Sequence, residues 1–330
     1  MFHSARVGLL GSVLAALLVA ATGSAADADP KFLPDDTEVV VFLDVKQVLG
    51  SELAKTHAKL IDQFKGHVQD AIKGNPAVAT LFDKAGFDPF KDLASVTLAM
   101  PPAVDVVPTV ILHGTFDRAK IAAVMADAAK AAPDKVKVAK VGKADVYEVV
   151  GEDKKAFHAG LVADGVLVIA GSADGVKVAL DRAAGTAKPA LKKELASLLD
   201  PAAKTSAAFH VTSNGITKLA ANTPGVNPQA TAAFKNFDGA SITASVGKDV
   251  DARMSLNVKD EATAKQMALQ AGLGLGVAKG MLATQAEKNP QLAPLMTAVD
   301  TLKTGSDKNA FTLTGKLSGE VVGKLIEGAK

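Results

Sequence analysis

Apolar and polar positions along the chain sort into blocks of two different periods. TEVVVFLDV (37–45) is an almost unbroken apolar run of strand length and predicts a buried strand. From Gly50 to about Lys73, the residues Leu53, Leu60, Ile61, Phe64, Val68 and Ile72 recur at helical spacing, so one long amphipathic helix is expected next. NPAVATLFDKAG then reads as a short helix with Asn75 as its cap, Pro76 at its first position and Gly86 as its stop. ASVTLAM and VVPTVILHGTF flank PPAVD and read as a hairpin with prolines at its edges. Asp117 is placed to cap RAKIAAVMADAAKAA, in which Ile121, Val124, Met125 and Ala128 share one face. Four further strand-like runs follow, DKVKVAKV, ADVYEVVG, KAFHAGLVA and GVLVIAG, with Gly142-Lys143 and Asp164-Gly165 as turns; the helix ADGVKVALDRAAG closes this half.

The second half repeats the order of the first. ASITAS (240–245) matches ASVTLA (94–99), and each follows an FK-containing segment and leads through a hairpin into a helix. DARMSLNV then corresponds to VVPTVILHGTF, DEATAKQMALQA to DRAKIAAVMADA, and TSAAFHVT (205–212) to the opening strand. The expected fold class is α+β, built of duplicated β-α-β-β-α units, with mostly antiparallel sheets and helices packed on one face. The expected division is a signal peptide at 1–26, a first α+β half at 27–186, a connecting helix at 187–203 and a second, divergent half at 204–330.

MFHSARVGLLGSVLAALLVAATGSAA combines Arg6, an apolar stretch from Val7 to Ala21 and small residues at its exit, the pattern of a cleaved secretory signal. Its apolar core is short for a membrane span of ~20 residues. The mature chain is therefore expected to be exported, periplasmic or extracellular, with no transmembrane span after cleavage. The chain has no cysteine, so disulfides and thiolate metal sites are excluded and the fold must rest on core burial. Loss of Arg6 moves the formal charge from +2 to +1, far from the basic surface that nucleic-acid binding requires. With no Trp and Tyr147 as its one tyrosine, the chain offers few stacking platforms. Lys135, Lys137, Lys140 and Lys143 read as gatekeepers on an exposed or edge strand, with a basic binding stripe as the alternative.

Candidates for chemistry are few. His57 and His67 lie ten residues apart on one expected helix, about 80° apart around its axis, and cannot share an ion. His113, His158 and His210 each fall in an expected strand and would hold a metal only if those strands converged. No HxH or HExxH pair supports that, so no metal and no cofactor is expected. Ser245-Val-Gly-Lys248 matches SxxK and Lys303-Thr304-Gly305 matches KTG, elements of serine penicillin-binding enzymes in which the Lys activates the Ser. Against that reading, Ser245 sits near the end of a strand, Ser213-Asn214 precedes it in the chain, and Lys303-Thr304-Gly305 falls in a polar turn. Neither a GxSxG elbow nor a Walker loop is present.

LPDDTEVVVFLDV, GFDPFKDLASVTLAM, HGTFDRAKI and GLVADGVLVIAG together resemble a group of exported bacterial proteins with a domain of unknown function. That group begins its mature domain with LP-(A/D)-D-T and carries G-x-DP-x-x-DL before a strand. The resemblance covers residues 33 to 185 and, less clearly, the second half; it implies export and the α+β repeat and transfers no catalytic residue.

The expected function is thus non-catalytic, acting by binding or structural interaction with a protein or an apolar ligand. One alternative is a carrier that holds a lipid-like ligand between sheet and helices, lined by Met267, Met281 and Met296. Another is a serine acyl-enzyme using Ser245 and Lys248. MALQAGLGLGVAKGML (267–282) carries Gly272, Gly274, Gly276 and Gly280, which cost a helix roughly 3 to 4 kcal/mol relative to alanine. Gly272, Gly276 and Gly280 fall at i, i+4 and i+8, so the expectation is a smooth ridge closely approached by another helix or the sheet, with a kink or break near Gly272 to Gly276 as the alternative.

Overall fold

The computed structural model describes residues 29–74, 76–102, 106–151, 154–199, 205–221, 236–289 and 293–328. The expected signal peptide and the expected cap at Asn75 lie outside them. In chain order, a 3-10 turn at Pro30–Phe32 leads into β1 (Val39–Asp44), α1 (Val45–Gly50), α2 (Glu52–Thr56), α3 (Ala58–Lys73), α4 (Pro76–Ala85) and α5 (Pro89–Asp92). Next come β2 (Leu93–Met100), β3 (Thr109–Gly114), α6 (Arg118–Ala131), β4 (Val136–Val141), β5 (Ala144–Val150), β6 (Ala156–Ala163), β7 (Val166–Ala170) and α7 (Ala173–Ala183). The chain continues through α8 (Lys193–Ala196), β8 (Ala207–Thr212), α9 (Ser213–Ala221), β9 (Phe237–Val246), β10 (Val250–Val258) and α10 (Glu261–Lys288), and then α11 (Ala293–Asp300), β11 (Lys303–Asp307), β12 (Ala310–Leu317) and α12 (Gly319–Gly328).

The described residues fall into two compact units. One holds Ala28–Lys46 and Ala58–Pro201, the other Gln47–His57 and Ala202–Lys330. In the first the strand order is β1-β2-β3-β7-β6-β5-β4, and in the second it is β8-β9-β10-β12-β11, with antiparallel pairing between these neighbours. The second unit thus has the strand plan of the first with one hairpin fewer. Both are α+β, with helices on one face of the antiparallel strands.

Local chemistry explains most boundaries. β2 alternates buried and half-buried positions along its whole length, the signature of a strand with one covered face. The Lys120 N–H donates to Asp117 Oδ1 at 3.0 Å, the Gly175 N–H to Ser172 Oγ at 3.2 Å and the Thr263 N–H to Asp260 Oδ1 at 2.7 Å, so α6, α7 and α10 all begin on side-chain caps. Gly142 and Gly165 hold the expected turns with φ of +62° and +69°, a region that side chains with a Cβ rarely enter. Close approach of helix to strand occurs at Gly160 of β6, where a Cβ would lie 2.8 Å from Val176 Cγ1 of α7.

Four expectations change. The helix expected from Gly50 to Lys73 is interrupted: Ser51 Oγ accepts the Ala54 N–H at 2.8 Å to start α2, and His57 ends it. Leu53 donates its N–H to the Gly247 carbonyl at 3.0 Å, which places this segment in the second unit and puts His57 and His67 on different elements. Among the described residues of the expected connecting segment, helix is confined to Lys193–Ala196, whose Leu195 is buried in the first unit. Lys303-Thr304-Gly305 forms the start of strand β11 instead of a turn.

Candidate functional site

The expected chemical candidates do not assemble. His113 pairs with Val166 and His158 with Ala170, four residues further along β7, which separates the two rings by about 13 Å of strand. His210 pairs with Ser241 in the other unit. Burial lowers the His113 pKa, favouring the neutral ring, which lies 6.2 Å from the Phe32 ring. Among the described residues no group of three His, Cys, Asp or Glu is gathered to hold a metal ion. Ser245 on β9 and Thr304 on β11 are three strand positions apart, or about 14 Å, so SxxK and KTG do not face a common site.

The LPDDT and GFDPFKDL segments are bound up in structure. Arg182, almost fully buried on α7, donates to the Leu33 carbonyl and to Asp35, whose Oδ1 also accepts the Ala190 N–H at 2.7 Å. Thr37 donates its hydroxyl back to the Pro34 carbonyl at 2.7 Å, and buried Glu38 accepts from Lys192. LPDDTE is therefore a clasp that fixes the start of the first unit. In the DPFKD turn, Asp88 caps Phe90 at 2.9 Å and Asp92 Oδ2 accepts the Asp88 N–H at 2.7 Å; the Lys91 hydrogen bond holds the Asp88 carboxyl below its ordinary range. The lysine stripe lies on and beside β4, the edge strand of its unit, where Lys137 meets Glu148 at 3.0 Å and Lys140 meets Asp145 at 2.6 Å.

What stands out is the exterior of α10. This 28-residue helix is continuous from its Asp260 cap, without the break expected as one alternative near Gly272 to Gly276. Its inward positions, Ala264, Met267, Ala268, Ala271, Leu275 and Leu282, are buried or half-buried where the helix lies on β11, β12 and β10. Its outward row is Leu269, Leu273, Val277 and Met281, exposed by 68%, 69%, 65% and 63%, the most exposed large apolar side chains among the described residues. Between Gln266 and Thr284 the exposed positions are these four, Gly274, Gly276, Ala278 and Gly280, and the single polar residue Gln270. Lys279 turns away, donating its Nζ to the Asp300 carbonyl at 3.0 Å.

The glycines correct the expected close packing. A Cβ at Gly272 would meet Thr304 Oγ1 at 3.0 Å, so that position does approach β11. At Gly274, Gly276 and Gly280 a Cβ would meet nothing within 4 Å. These three glycines face outward, beside the exposed row. Met281, one of the three methionines expected to line an interior space, belongs to that exposed row.

The sequence carried this signal in plain view, as large residues at i, i+4, i+8 and i+12 beside the glycine row. Periodicity alone does not say which of two apolar faces meets the sheet. Compared with known proteins, the chain matches no protein-family model, no curated protein and no solved structure. Among the described residues no helix is long and apolar enough to cross a membrane.

Proposed function

We propose that this chain is an exported, non-catalytic protein that acts by binding, and that its contact surface is the outward face of α10. The observation that carries this reading is the row Leu269, Leu273, Val277 and Met281, all more than 60% exposed on one helix. Apolar surface in water costs about 25 cal/mol per Å² relative to burial, and a contiguous strip of it on a soluble domain marks a place where something else docks. Export rests on the N-terminal signal pattern and on the resemblance carried by LPDDT and GFDPFKDL.

The test is a photoreactive amino acid placed at Leu273, with a control at Ala123 on the exposed side of α6, in cells that make the full chain. Irradiation is expected to yield a protein or lipid adduct from position 273 and none from position 123. Equal yields at the two positions would overturn the contact-surface reading. Turnover of an ester or amide substrate that disappears in Ser245→Ala would overturn the non-catalytic one.

A further inference from the structure

The arrangement of side chains on α10 goes further than an apolar strip, because it is palindromic. Leu269 and Met281 are equidistant from Leu275, as are Leu273 and Val277, and Gly274 and Gly276 flank it. On a regular helix the four large residues form a ridge along the i±4 row, and Gly276 and Gly280 form the parallel groove beside it. Two such helices, antiparallel and centred on Leu275, set Leu269 of one copy over Gly280 of the other. Leu273 then lies over Gly276, Val277 over Gly274 and Met281 over the stem of Gln270. Three of four knobs land on a residue with no side chain, at positions where a Cβ would meet nothing of its own chain within 4 Å.

We infer that the partner of the α10 face is a second copy of this chain, docked antiparallel, ridge into glycine groove, about a twofold axis at Leu275. The inference rests on the reading of α10 as a contact surface. An isologous pair needs one patch to be its own complement, which this patch is. Membrane docking fits less well on two counts. Glycines at 274, 276 and 280 remove apolar area that a bilayer would reward, whereas they allow helix backbones to approach closely. Interfacial helices are also flanked by basic residues, whereas here Glu261 is paired with Lys265 at 2.6 Å and Glu287 adjoins Lys288, which leaves both ends charge-balanced.

One helix pair is a small contact, so a reversible, concentration-dependent dimer is expected. The absence of native cysteine makes the register directly testable. The purified mature chain carrying Leu269→Cys together with Gly280→Cys is expected to form a disulfide-linked dimer on mild oxidation. Leu269→Cys alone is not, because its two copies would stand about 18 Å apart along the helices. Sedimentation velocity of the unmodified chain from about 1 μM to about 1 mM is expected to show monomer giving way to dimer. Gly276→Leu is expected to weaken association at least tenfold while melting no lower than the wild type.

A chain that stays monomeric throughout, or single-cysteine cross-linking as efficient as the double, overturns the self-pairing. Flotation of the monomer with phosphatidylcholine or phosphatidylglycerol vesicles also overturns it, while leaving α10 as the contact surface. Equal photo-adduct yields at positions 273 and 123 remove the surface itself.

Discussion

Helices α6 and α10 occupy the same place in their respective units. Each follows the second strand of an antiparallel hairpin, β2-β3 or β9-β10, and each opens on an aspartate cap, Asp117 or Asp260. They differ in what they present to solvent. α6 has 14 residues, buries Met125 and exposes Arg118, Lys120, Asp127 and Lys130. α10 is twice as long, at 28 residues, and exposes leucines, a valine, a methionine and glycines. A helix covering a sheet requires one apolar stripe, and α6 supplies just that. The second apolar face of α10 is therefore not required by the fold around it, and its glycines oppose the helix they sit in.

The sharpest way to break this comparison is to truncate one apolar residue on each helix. Met125→Ala is expected to cost about 3 kcal/mol through the cavity it leaves. Leu273→Ala is expected to stay within about 0.5 kcal/mol, as for an exposed residue. Urea denaturation at a concentration where the chain is monomeric reads both, and similar costs would mean that α10 buries its outward row within the fold. Glycine substitutions come next. Gly160→Ala would push a methyl against Val176 and is expected to cost about 1 to 2 kcal/mol, whereas Gly274→Ala is expected to stabilise by about 1 kcal/mol.

The smallest effect concerns pH at the start of α10. Bonds from the Thr263 backbone N–H, then from its hydroxyl, hold the Asp260 carboxyl below its ordinary range. Its contribution is therefore complete above the unfolded carboxylate value of about 4 and is lost as pH falls through the lower folded value. Protection of the first-turn amides of α10, taken relative to their intrinsic exchange rate at each pH, is expected to fall only in that acid window. In Asp260→Ala protection should be low at every pH, and an unchanged profile would remove the cap from the account.

How much of this was legible in the sequence follows from how local each signal is. Caps and turns need only their neighbours, so Asp117, Gly142 and Gly165 do what the sequence predicts. The break in the helix near Ser51 comes with the Ser51 cap and with Leu53 donating to Gly247, nearly two hundred residues away, and apolar spacing carries no trace of either bond. β11 was missed because KTGSD, an edge strand with polar positions throughout, lacks the alternation by which strands are recognised. In α10 the existence of the helix is readable, but not its orientation. With both faces apolar, the choice of face depends on how β11 and β12 receive it. Spacing alone therefore predicts a glycine row packed against the fold, whereas of the four glycines Gly272 alone makes the expected close approach.

The central claim is that the outward glycines of α10 serve a second molecule and not the fold that carries them. Gly276→Leu tests it most directly, by comparing unfolding free energy in dilute solution with the state of association in concentrated solution. The account expects the two to move apart, with unfolding free energy unchanged or raised by up to about 1 kcal/mol and association lost. A variant that unfolds more easily yet associates as the wild type does would contradict it.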